Sequence, residues 1–409
     1  MKNEEKDVIA YLRSAQAIRD RCGQLFDLAK ADQLAHFRLD LGQLDRVADY
    51  VLAVMRENYP TLEVPFHSRW RHFESGGVSR LAQLDQTLQA LEPLEKARAK
   101  FDLAITSVLL DAGAGADWRY KEAETGLVLG RSEGLAIASF HLFLQGGFSS
   151  QPDAPFQADA AGLQALTAAA FTQGFQVSPQ NPLVGVEGRL MLMHRLGEAI
   201  AAQPHLFGQQ PRVGHLVDYL MQQAVDQRLK AHQVFAAVLQ GLSEIWPGRV
   251  AIAGVNLGDV WTHTALPQQG LGSQLVPFHK LSQWLTYSLL EPLQELGLQI
   301  TDLDQLTGLS EYRNGGLCLD LGLLQPKHDA VTQQPHPPDA EVIVEWRALT
   351  VILLDQIAQT LRDQLGLTAV ELPLAKVLEG GTWAAGRKIA ATRTGSVPPI
   401  QVVSDGTVF

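Results

Sequence analysis

Residues 81–110, LAQLDQTLQALEPLEKARAKFDLAITSVLL, decide the fold class. Phe101, Ala104, Ile105, Val108 and Leu109 recur at i, i+3 and i+4, the spacing that lays apolar side chains along one face of an α-helix. Gly113 and Gly115 then stop the pattern, as glycine does at helix C-termini. The same rhythm runs upstream through Val8, Leu12, Ala15 and Ile18, and through Leu39, Leu41, Leu44, Val47, Val51 and Val54, so 4–59 reads as helices. Downstream it predicts helices near 122–146, 158–174, 185–203, 212–244, 273–296 and 341–365. Strand signals are confined to 249–255 and the tail at 400–403, with 404–407 as a turn. The proline-rich stretch 325–340, QPKHDAVTQQPHPPDA, reads as a loop leading into a helix at Glu341. The expected fold is mainly α, a large single helical domain over 1–409 with a small β element. Within it, an N-terminal helical layer covers about 1–60, and 61–409 carries the candidate chemistry.

The chain has 409 residues, 46% hydrophobic and 19% charged, enough for a large buried core. No run of eighteen apolar residues is present to span a membrane, and the charged N-terminus MKNEEKDVIAYL lacks the apolar core of a secretory signal. A cytoplasmic protein with no membrane partner is the expectation. Cys22 and Cys318 are the only cysteines and neither sits in a CxxC pair, so neither a disulfide framework nor a thiolate zinc site is expected. A net charge of −11 argues against a nucleic-acid partner, which needs clustered Lys and Arg, but leaves room for a small anion held by a few local arginines.

Three segments carry more chemistry than packing requires. In LLDAGAGADWRY at 109–120, Asp111 lies at a helix C-terminus, where a negative side chain meets the negative end of the dipole. Gly113 and Gly115 permit close backbone approach, and Trp118 and Tyr120 offer flat walls; the alternative is a glycine cap followed by a surface loop. In PFHSRWRHFESGG at 65–77, the Arg69 and Arg71 forks suit a phosphate or carboxylate, Trp70 suits a sugar, and His67, His72 and Glu74 add titratable groups. The five-residue histidine spacing matches no compact metal motif, so no metal is expected. In LTGLSEYRNGG at 306–316, Glu311, Tyr312, Arg313 and Asn314 sit in a polar turn between apolar runs, alternatively a plain Asn-Gly turn. Asp259, in GDVWTH at 258–263, is a secondary candidate, while EWR at 345–347 reads as structural. No nucleophile elbow, Walker loop or EF-hand is present, and no cofactor is expected.

These blocks, with FHKLSQWLTYSLLEPL at 278–293 and the terminal PPIQVVSDGTVF, resemble the uracil-catabolism family of fungi and bacteria over nearly the whole chain. The resemblance implies a pathway that opens the pyrimidine ring and passes through a ribosylurea, and hence a step that separates urea from ribose or ribose phosphate. The 306–316 block is also distantly similar to the polar turn of queuosine-nucleotide hydrolases, helical N-ribosyl hydrolases related in shape to DNA glycosylases. By analogy, that similarity implies a DNA-glycosylase-like helical architecture.

For such a reaction, Asp111 is the expected carboxylate that stabilises charge on the anomeric carbon or activates water. Glu311 or Glu74 would protonate the departing urea. Arg69, Arg71 and Arg313 would hold a 5′-phosphate; Trp70, Trp118 and Tyr120 would pack on ribose or urea. His67, His72, Asp259, Tyr312 and Asn314 complete the expected binding set. The expected partner is a small ribosyl substrate with or without a phosphate. The rival reading is a non-catalytic protein that binds a pathway nucleotide or a partner enzyme; a ribosyl or phosphoribosyl transferase has less support.

Overall fold

A computed structural model describes residues 1–246, 249–392 and 398–403. Helices dominate, and the described strands form only two-stranded ladders. The contacts divide the chain into two compact units, one built from Met1–His67, Gly248–Gln283 and Asp302–Ser404, the other from Ser68–Pro247 and Trp284–Thr301.

The first unit is organised on helix Glu341–Leu365, which packs against Ala15–Lys30 and Leu44–Asn58. The first ten positions after Glu341, Val342 to Val351, are all buried, so it behaves as a core helix more than an amphipathic surface one. Ser14 caps Ala15–Lys30 by accepting from the Ala17 amide at 3.1 Å. The 249–255 strand signal becomes the hairpin Ala251–Ile252 with Val255–Asn256. In the tail, Gln401–Val402 pairs in parallel with Pro335–His336, whereas the expected turn at 404–407 lies outside the described residues. The 325–340 stretch is not a plain loop. It holds helix Ala330–Gln333 and two short strands, one of which, Leu324–Pro326, pairs antiparallel with Phe37–Leu39. That pairing partner lies far away in sequence, beyond the reach of local propensity. Both Cys22 and Cys318 are free, buried thiols in this unit, and burial pushes the Cys318 thiol up to about 12.

The second unit is built around helix Pro93–Leu109, which packs against Arg69–Phe73, Arg131–Leu144 and Leu216–Gln223. Pro93 takes the first helical turn, where its missing N–H is harmless, and so breaks the 81–110 periodicity into Arg80–Thr87 and Pro93–Leu109. Every residue from Phe101 to Leu109 is buried. The helix expected at 122–146 begins only at Arg131, because Tyr120–Lys121 and Val128–Leu129 form a hairpin first. Gly126, with φ 72°, supplies its left-handed turn residue. The 212–244 pattern likewise splits into Leu216–Gln223 and Ala231–Leu242, with strand Arg228–Lys230 between them pairing in parallel with Gln299–Thr301. Among the described residues no helix is long and apolar enough to cross a membrane.

Candidate functional site

The candidate residues separate by unit. Arg69, Trp70, Arg71, His72, Glu74, Asp111, Trp118 and Tyr120 belong to the second, and His67, Asp259, Glu311, Tyr312, Arg313 and Asn314 to the first.

In the second unit, Asp111 follows the last turn of Pro93–Leu109, its amide donating to the Val108 carbonyl. Its side chain is 6% exposed, and Oδ2 accepts from Arg69 Nη1 at 2.8 Å. Oδ1 takes no hydrogen bond from a described residue. Arg69 opens the short helix Arg69–Phe73 and is fully buried. Its Nε donates to Ser107 Oγ at 2.7 Å, and its guanidinium lies 5.6 Å from the Trp284 ring centroid and 5.9 Å from that of Phe73. Burial lowers the Arg69 pKa while Asp111 raises it, yet the guanidinium remains a cation. Its Nη2 is buried with no hydrogen-bond partner, an exception that calls for a reason in a close-packed site.

A second arginine, which sequence reading missed, completes the cluster. Arg189, on helix Val186–Ala201, donates to the carbonyls of Leu110 at 3.2 Å, Ala112 at 2.8 Å and Gly113 at 3.1 Å, and also to Val184. It therefore satisfies acceptors at the helix end and sets positive charge against its negative pole. Burial lowers its own pKa to about 10, with Asp111 opposing that shift. The unfavourable dipole position of Asp111 is thus offset by two buried arginines. No periodicity marks Arg189, since its role depends on a loop 76 to 79 positions away.

The remaining members divide into committed and open groups. Trp70 is buried and donates to the Ser288 carbonyl at 2.7 Å; Trp118 is fully buried and donates to the Phe175 carbonyl at 2.9 Å. Both indoles, expected as aromatic walls, are buried with their N–H groups engaged. Arg71 Nη2 donates to Glu291 Oε2 at 2.7 Å, and His72 meets Trp284 edge-on at 5.4 Å. Glu74 is the C-cap residue of Arg69–Phe73 and is half-buried. Tyr120 stacks on His141, with ring centroids 6.1 Å apart, and lines a cavity of its own.

In the first unit, Glu311 is the N-cap of helix Tyr312–Asp320. Its Oε2 accepts from the Arg313 amide at 2.8 Å and its Oε1 from the Asn314 amide at 2.6 Å. Both oxygens are engaged in capping. The fully buried Asn314 side chain donates to the Leu309 carbonyl at 3.0 Å. Arg313 lies over the rings of Tyr312 and Trp383, at 5.2 and 5.5 Å. His67 Nδ1 is 2.7 Å from Glu379 Oε2, on the π-helical segment Val377–Trp383. Gly380 and Gly381 let that segment approach helix Leu44–Asn58 and the chain after it, since an added Cβ would lie 2.9 Å from Val64 and 2.8 Å from Val51. Asp259 accepts both Nη1 and Nη2 of Arg347 at 2.8 Å, the Trp261 indole at 2.6 Å and the Lys280 amide at 3.0 Å. Burial alone would raise its pKa, but Arg347 and these donors hold it well below the usual carboxylate range. Arg347, read from sequence as structural, is the buried half of this pair, and Glu345 beside it accepts the His36 and Phe37 amides at 3.1 and 2.7 Å.

The chain is 38% identical to "Uracil catabolism protein 4" of Lachancea kluyveri, over 98% of this chain and 99% of that protein. It is 39% identical to "Protein urg3" of Schizosaccharomyces pombe, again over 98% of this chain and 99% of the relative. Residues 11–409 match the family model described as "Protein of unknown function (DUF1688)". With nearly all of its length matched, the chain belongs to the DUF1688 family, alongside these two fungal proteins.

Proposed function

We propose that the chain acts in uracil catabolism and hydrolyses the N-ribosyl bond of ribosylurea or its 5′-phosphate, releasing urea. The name of the Lachancea kluyveri relative, "Uracil catabolism protein 4", supports the pathway. The observation that carries the chemistry is the Asp111 carboxylate, 6% exposed, with one oxygen fixed by Arg69 and the other taking no donor from a described residue.

Breaking an N-ribosyl bond develops positive charge at the anomeric carbon. A buried, ionised carboxylate stabilises that charge or takes a proton from the attacking water, and both roles need an oxygen not already engaged. Arg69 orients Asp111, and its unpartnered Nη2 is a donor left for a substrate oxygen. The departing urea nitrogen needs a proton. Of the two candidate acids, Glu311 has both oxygens engaged by backbone amides, which favours Glu74 as donor.

The test is urea release from ribosylurea and from its 5′-phosphate, read by coupled urease, for wild type and Asp111→Asn. The expected outcome is turnover by wild type and a loss of about 10²–10⁴-fold in the folded variant, the range for removing a charge-stabilising or general-base group. Full turnover by folded Asp111→Asn overturns the assignment. Tight binding of either substrate by wild type without urea release overturns the hydrolase reading in favour of a pathway binding protein.

A further inference from the structure

The second unit contains another constellation, outside the Asp111 cluster. Arg80, 1% exposed, donates Nε and Nη2 to the two oxygens of Glu122, each at 2.6 Å. Glu122, 2% exposed, accepts in turn from Thr125 and lies 2.8 Å from His141 Nε2. The hydrogen bonds from Arg80, with those from Thr125 and His141, hold the Glu122 carboxyl at about 2, so it is a carboxylate and an acceptor. A neutral His141 therefore carries its proton on Nε2, leaving the Nδ1 lone pair free to accept. Nδ1 makes no hydrogen bond to a described residue.

His141 and Tyr120 line a cavity of about 430 Å³, together with Gln145, Gly147, Gln173 and Gln176. Burial raises the Tyr120 hydroxyl to about 12, so it stays protonated, and it too makes no hydrogen bond to a described residue. The two rings are 20° from parallel, which sets an acceptor and a donor on neighbouring planes. Gln176 fixes the wall by donating to the Lys121 carbonyl at 2.8 Å and accepting the Lys121 amide at 2.9 Å. Gln145 and Gln173 offer exposed amides. Among the described residues no Lys, Arg, Asp or Glu lines the cavity. A buried ion pair is a weak route to stability compared with apolar packing, whereas a carboxylate hydrogen-bonded to one ring nitrogen of a histidine fixes its tautomer and orientation.

We propose that this cavity is a ligand site for a small, neutral, planar amide or imide, which offers an N–H to His141 Nδ1 and a neighbouring carbonyl to the Tyr120 hydroxyl. The lack of Lys, Arg, Asp and Glu among the described lining residues selects against phosphates and carboxylates, and the volume falls in the range of small-molecule sites. The inference stands independently of the ribosyl hydrolase, because its readout is binding and not urea release.

The test is calorimetric titration of the full chain with uracil and with urea, both of which present an N–H beside a C=O. ¹⁵N spectra of histidine-labelled protein are followed in parallel. Saturable binding of at least one probe is expected, with a shift of the His141 Nδ1 resonance. Tyr120→Phe and His141→Phe keep an aromatic ring at each position, and each is expected to weaken binding by about tenfold, the effect of losing one hydrogen bond. 1,3-Dimethyluracil, which has no N–H, is expected not to bind. The proposal is overturned if neither probe binds wild type, if the dimethylated compound binds as well as uracil, or if both variants bind like wild type. Failure of both uracil and urea to move the His141 Nδ1 resonance of the wild-type chain overturns it even where a variant misfolds.

Discussion

At the scale of single residues, the buried charges are the informative positions, and Arg69–Asp111, Arg80–Glu122 and Arg347–Asp259 are paired. Glu122 has a definite pH consequence. Its carboxyl falls from an ordinary 4.5 to about 2 on folding, chiefly through Arg80, so it adds stability above the unfolded pKa and loses it as pH falls toward 2. Thermal unfolding between pH 6 and pH 2.5 is expected to show wild type losing stability below about pH 5, with Glu122→Gln less stable at pH 6 and flatter in its response. Parallel pH curves would remove Glu122 as the source. Asp111 belongs to the same group of paired charges, but its second oxygen separates it from Asp259, whose oxygens are held by Arg347, Trp261 and Lys280. Both aspartates were legible as candidates, and what separates them is hydrogen-bond occupancy, which sequence does not show.

At the scale of elements, the ends of helices decide more than their middles. Glu311 caps Tyr312–Asp320 through two amides, so Glu311→Ala is expected to lower stability by about 1–2 kcal/mol in chemical denaturation, with Glu311→Asp retaining most of it. A loss of urea turnover in Glu311→Asp, at unchanged stability, would instead return Glu311 to the role of acid. In the same helix Gly315 packs on the Trp346 indole, where an added Cβ would lie 2.6 Å away. Gly315→Ala is expected to destabilise by about 1–3 kcal/mol through overpacking, measured the same way. An unchanged midpoint would mean that Trp346 moves aside freely. The Asn-Gly signal in this block was readable as a turn, but the backbone there is a helical start. A glutamate cap and the burial of Gly315 and Gly316 outweigh local turn preference.

At the scale of the whole molecule, a net charge of −11 on 409 residues sets the long-range field. Fluorescence anisotropy with a short duplex at about 150 mM salt is expected to show no saturable binding, since non-specific affinity comes from counterion release by clustered cations. Saturable, salt-sensitive binding would reveal a basic face that the charge balance hides. The family relationship also operates at this scale, because the match runs from residue 11 to 409 and spans both units.

The sequence by itself determined the helical class, the approximate placing of the main helices, and the blocks that resemble the uracil-catabolism family. Apolar spacing of 3.6 residues, proline at a first turn, and glycine after a last one are local signals, and local signals survive without coordinates. Tertiary structure alone decided which charges meet. Arg69 finds Asp111 at a separation of 42 positions, Arg80 finds Glu122 at 42, and Arg347 finds Asp259 at 88. Trp70 and Trp118, read as ligand walls, are covered by their own surroundings. The physical reason is desolvation: whether a carboxylate reacts, caps or merely balances a guanidinium depends on which water it has lost and which donors replaced it, and both are set by residues remote in sequence.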